Sequence, residues 1–267
     1  MDLLMSMGAA AAMLVAAKTM AWVIQRRLGN AGIVDAVWAW ALGGLALWFA
    51  WVGPAPAPLR ILLATLGGLW GLRLGVHLWR RNWRTAEDWR YAQLRQEWAP
   101  HAQSRLFWFF QFQNLFTLAL AGSAFVPVAW RTDLPSQGAM ALAVVIALVA
   151  VGGETLADAQ LATFKRQGHH GTCDRGLWRY SRHPNYFFEC LHWLAYVPLA
   201  WGGPLGLWSL LAPLVMLGLI LKLSGVPLLE RELAQRVPGY RDYQARTSML
   251  LPWPPRPTPP STPPAAS

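Results

Sequence analysis

The residues spaced for chemistry gather around an Arg-His-Pro turn. Pro184 suits the first turn of a helix, and from there Asn185, Glu189, His192 and Tyr196 recur at i, i+4, i+7 and i+11. Such a stripe would be costly against lipid, so it is expected to face a polar interior. The amino end of that helix presents unpaired N–H groups beside Arg179 and Arg182. That combination suits a phosphate, from a dinucleotide or an anionic lipid headgroup; a pure topology signal is the plainer alternative. Glu154, Asp158 and Lys165 share a second stripe leading out of an apolar run, as would any helix end surfacing into water. A third group joins Asp35, at the start of the second apolar run, to Arg73 and His77, one turn apart in the third. These three either handle a proton or form an interhelical ion pair. The segment 85–91 mixes acids, aromatics and arginine. It either closes over a ligand or pairs Glu87 and Asp88 with Arg90 and Arg84. Cys173 with His169, His170 and His183 matches no familiar zinc spacing, and no metal is expected.

The elements that must carry these groups are membrane helices. The chain of 267 residues is 55% hydrophobic and 13% charged, far below the roughly 25% charge of soluble domains. Its 17 tryptophans suit the headgroup level of a bilayer. Apolar stretches at 3–24, 33–52, 59–79, 106–129, 138–161, 187–202 and 205–224 predict an all-α polytopic bundle of seven transmembrane helices. Met1-Asp2 precedes the first run and Arg26-Arg27 follow it, opposite to a cleaved signal peptide. Arginines crowd alternate connections, and only Arg60 and Arg131 stand in the others. By the positive-inside rule the amino terminus is outside and the carboxyl terminus cytoplasmic. The net charge of +10 therefore belongs to one membrane face, and no nucleic-acid partner is expected. Residues 1–253 form one membrane domain, with the motifs in about 150–253. Residues 254–267 read as a disordered, proline-rich tail.

Several motifs resemble a known family. They are Trp70-Gly-Leu-Arg-Leu-Gly, Glu87-Asp-Trp-Arg-Tyr91, Gly176-Leu-Trp-Arg-Tyr-Ser-Arg-His-Pro-Asn-Tyr186, Ser224-Gly-Val-Pro-Leu-Leu-Glu230 and Pro238-Gly-Tyr-Arg-Asp-Tyr243. Together they are similar to bacterial membrane proteins of unknown function in the steroid 5-alpha-reductase superfamily. The resemblance implies an inner-membrane NADPH-dependent reductase of a conjugated carbon–carbon double bond, open to the cytoplasm, acting on an apolar, lipid-like enone. It implies a cofactor site of Arg81, Glu154, Asp158, Lys165, Tyr180, Arg182, His183, Asn185, Glu189 and Tyr243. Glu154 stands where relatives keep asparagine, and Lys165 replaces an arginine. On the substrate side the family's polarising tyrosine aligns with Leu78, and Asp35 is the equivalent of its glutamate partner. Asp35, Arg73 and His77 are thus the expected catalytic cluster. Phe188 occupies a position the family gives to glycine. Methyltransferases of the isoprenylcysteine type share the Arg-His-Pro turn and use S-adenosylmethionine. Glu230 and Glu232 lie close to their adjacent glutamate pair, which keeps that activity as an alternative. A non-catalytic membrane or lipid-binding protein is the other.

Overall fold

A computed structural model of the protein describes residues 1–168, 171–223 and 226–257. It is helical, with no strand among the described residues. Among the described residues, six stretches are long and apolar enough to cross a membrane: Leu3–Leu28, Ile33–Val52, Ala57–Asn82, Ala102–Ala129, Gln137–Arg166 and Gly206–Arg236. The first five are α1, α2, α3, α5 and α6; α4 is the short polar helix Trp89–Glu97. The span expected at 187–202 is divided between α7, Pro184–Leu194, and α8, Tyr196–Ala200. Pro198 explains the division, because it has no N–H for the Leu194 carbonyl and its ring crowds that oxygen. The sixth apolar stretch includes α9, Leu211–Gly218, and α10, Val226–Arg236; α11, Tyr240–Arg246, follows.

The chain divides into two compact units, residues 1–145 with 193–216, and 146–192 with 217–267. In the first unit α1 starts on Asp2, which accepts from Met5 N at 2.8 Å, and ends on Gly29 in the left-handed region. Its buried residues Ser6, Ala10, Leu14, Lys18, Ala21 and Gln25 fall on one face. In lipid, helices are held by close packing rather than by the hydrophobic effect. Gly43 and Gly71 supply that packing: a Cβ on Gly71 would lie 2.6 Å from the Gly43 Cα, so α2 and α3 touch backbone to backbone. Around them the buried Trp70 meets Trp193 edge-on at 5.3 Å, and Phe125 stacks on Trp193. Tyr196, the last member of the expected stripe, belongs to this aromatic core.

The two arginines that break the charge alternation are both used locally. Arg60 donates to the carbonyls of Ala50 and Trp51, capping the end of α2. Arg131, 5% exposed, donates to the Leu199 and Trp201 carbonyls and to Asp133. Each satisfies helix-end carbonyls that lipid would leave bare.

Candidate functional site

In the second unit the Arg-His-Pro turn is built around one carboxylate. A short 3-10 segment, Gly176–Arg179, leads into it, anchored by Trp178 Nε1 donating to Ala157 O at 2.9 Å. Ser181 Oγ accepts from His183 N at 3.1 Å, and α7 then begins at Pro184, as the sequence requires. Arg182 donates through Nε and Nη2 to the two oxygens of Glu230, at 2.9 and 2.8 Å. Its Nη1 donates to the Gln244 and Thr247 carbonyls. His183 Nε2 lies 2.7 Å from Glu230 Oε1, Tyr240 donates to the same oxygen at 2.9 Å, and Gln244 to Oε2 at 2.6 Å. Tyr243 donates to the carbonyls of Trp178 and Ser181. Burial, then the neighbouring Glu230 charge, pushes the Tyr240 phenol far above its ordinary range; burial does the same to Tyr243. Arg182, His183 and Tyr243, assigned by resemblance to a cofactor, are thus joined in the network that fixes the turn to α10 and α11.

The α6 and α7 stripes do meet. Asn185 Nδ2 donates to Asp158 Oδ1 at 3.3 Å, so two residues 27 positions apart form one polar pair. Glu154 and Glu189 are buried, as is His192. Phe188 packs on the notch left by Gly153, where an added Cβ would lie 2.3 Å from the ring. The bulk gained at one position is therefore matched by the missing side chain at the other. Lys165, Arg179 and Tyr180 are exposed at this unit's surface. Glu232 pairs with Arg236, one turn on. His169 and His170 lie outside the described residues.

In the first unit Asp35 is met by a partner that the sequence did not indicate. Tyr91, on α4, donates its hydroxyl to Asp35 Oδ1 at 2.7 Å, and Arg90 Nη2 lies 3.6 Å from Oδ2. Arg90 also holds Asp88 through Nε and Nη2, at 2.9 and 3.0 Å, and Arg81 stands 3.6 Å from Asp88. Glu87 pairs with Arg95 and accepts from Ala31 N at 2.7 Å, which pins the 85–91 segment to the start of α2. The acids of this segment thus pair with Arg81, Arg90 and Arg95, whereas Arg84 lies over the Trp83 ring. Burial and the Asp35 charge push the Tyr91 phenol well above its ordinary value. For Asp88, burial works upward, but the Arg90 hydrogen bonds and charge outweigh it and hold the carboxyl low. Arg73 and His77 are half-buried on α3.

Lys18 is a further residue not foreseen. It is fully buried in α1 and donates to Gln113 Oε1 at 2.7 Å. Its signal was a single lysine inside an apolar run, where a charge is expensive enough to ask for a reason.

An uncharacterized protein of Schizosaccharomyces pombe, C594.04c, is 24% identical to this chain over 261 residues, covering 86% of this chain and 75% of its own. No solved structure matches. Residues 21–247 match the model of a protein family of unknown function, DUF1295, and the chain belongs to that family.

Proposed function

We propose that the protein is a membrane-embedded reductase that uses NADPH to saturate a carbon–carbon double bond conjugated to a carbonyl in an apolar, lipid-like molecule. In this reading it is a seven-helix member of the steroid 5-alpha-reductase superfamily in the bacterial inner membrane. Its amino terminus is outside, and its carboxyl terminus and cofactor side are cytoplasmic. The observation that carries the reading is the Asn185–Asp158 pair, beside the buried carboxylates Glu154 and Glu189. An amide and several carboxylates at a helix pair suit the carboxamide and ribose hydroxyls of a dinucleotide, which need both donors and acceptors. Lys165 and Arg179, exposed in the same unit, suit its phosphates. Arg182 and His183 would act indirectly, by holding the turn.

When bound, NADPH supplies the reducing equivalents; the protein supplies orientation and charge. On the substrate side Tyr91 offers the hydroxyl that Leu78 lacks. Burial and the Asp35 charge keep the phenol neutral, and its single O–H can turn from Asp35 to a carbonyl oxygen as negative charge develops there. Asp35 then positions that phenol, and Arg90 balances the carboxylate charge. The test is ligand binding by the detergent-purified protein. NADPH should bind more tightly than S-adenosylmethionine, and Asn185→Ala should weaken it. Preference for S-adenosylmethionine would select the methyltransferase activity, and binding of neither a lipid-binding protein.

A further inference from the structure

We propose that the cavity enclosed by the 246–256 loop of the second unit is a phosphate-binding site, taking a phosphate ester of an anionic phospholipid or of a nucleotide. After α11 the chain closes on itself: Arg256 N donates to Arg246 O at 2.8 Å, and Trp253 N to Tyr180 O at 2.9 Å. The enclosed space is about 390 Å³. Arg182, Arg246 and Arg256 line it together with Thr247 and Ser248, and no carboxylate does among the described residues. Arg182 is balanced by Glu230 and Arg246 by Asp174, so the uncompensated charge is that of Arg256. Arg246 gives Nη2 to Asp174 at 2.7 Å, but its Nε–H is buried and meets no acceptor among the described residues. A buried donor left unmade is costly, and a phosphate oxygen would satisfy it. A second cavity of the same volume, beside α6, has only Arg175 among its lining cations and is mainly apolar, so cavity size alone does not single out this loop. Leu251 and Trp253 are exposed beside the arginines, an arrangement that would let the same site accept a headgroup at a membrane surface.

This inference stands apart from the reductase reading, since it needs neither NADPH nor an enone. The full-length protein in mild detergent is tested in two arms. One compares retention of phosphatidylglycerol and phosphatidylcholine by native mass spectrometry. The other measures binding of adenosine monophosphate and inorganic phosphate by equilibrium dialysis. The anionic lipid or a soluble phosphate should bind, and whichever binds identifies the source. Arg256→Gln, at an exposed side chain whose loop contact is through its backbone, should weaken that binding about tenfold. Arg246→Gln with Arg256→Gln should abolish it. Arg231→Gln with Arg241→Gln removes the same charge from exposed positions outside the cavity and should leave binding within about twofold. No binding in either arm, or an equal loss in the control pair, would overturn the assignment.

Discussion

Asp35 and Glu230 are both helix-borne carboxylates that receive a tyrosine hydroxyl and an arginine from other segments of the chain. They differ in how much of their capacity is used. A carboxylate offers about four lone-pair sites. Glu230 accepts from Arg182 twice, and from His183, Tyr240 and Gln244, all within 3 Å. Asp35 receives one hydrogen bond at 2.7 Å and an arginine at 3.6 Å, and its side chain is 26% exposed. A saturated acid has nothing left for a ligand, and its work is to hold three helices and a turn in register. An acid with spare sites beside a neutral phenol can still respond to a reacting group.

The largest effect should come from emptying the saturated site. Glu230→Ala leaves Arg182 buried without its partner, and removing one member of a buried ion pair costs roughly 3–5 kcal/mol. Loss of monodisperse protein or a sharply lower Tm would show it; an unchanged Tm would make the network ornamental. Next comes the α6–α7 contact. Gly153→Ala alone should destabilise by about 1–3 kcal/mol through overpacking against Phe188. In a Phe188→Ala background the same substitution should cost almost nothing, which a double-mutant cycle by thermal unfolding would read. Smaller still is the Asp35–Tyr91 bond. Tyr91→Phe and Asp35→Asn should each lower enone-dependent NADPH oxidation about tenfold, with a combined loss well short of the product. Additive losses would separate the two residues.

The mildest effect is that of pH on the 85–91 segment. Asp88 titrates lower in the folded protein than in the unfolded chain, so its contribution is complete above the ordinary carboxylate range. That contribution is lost as pH falls through the depressed folded value. Proteolysis within 83–89 should therefore accelerate only in acid below about pH 4, and Asp88→Asn should remove that dependence.

What the sequence disclosed and what it hid follow the range of the interactions. Pro184, the i, i+4, i+7 stripe and the long apolar runs are local patterns, and they located the turn, its helix and six of the seven expected spans. The break at Ala195 was also local, since Pro198 marks it, but the continuous apolarity of 187–202 masked that signal. Glu230 was hidden because its partners lie 48 and 47 residues upstream. Tyr91 was hidden because it sits 56 residues from Asp35, on a helix too short and too charged for its apolar positions Tyr91, Leu94 and Trp98 to stand out. Arg182 was read from its type, as a phosphate ligand, whereas its neighbours engage all three guanidinium nitrogens.

The most direct test compares Asp35→Asn with Asn185→Ala in one preparation, measuring NADPH affinity and enone-dependent oxidation separately. Asn185→Ala should weaken NADPH binding about tenfold, whereas Asp35→Asn should leave that affinity within about twofold while oxidation falls. Equal loss of NADPH affinity in the two variants, or no NADPH binding by the unaltered protein, would contradict the assignment.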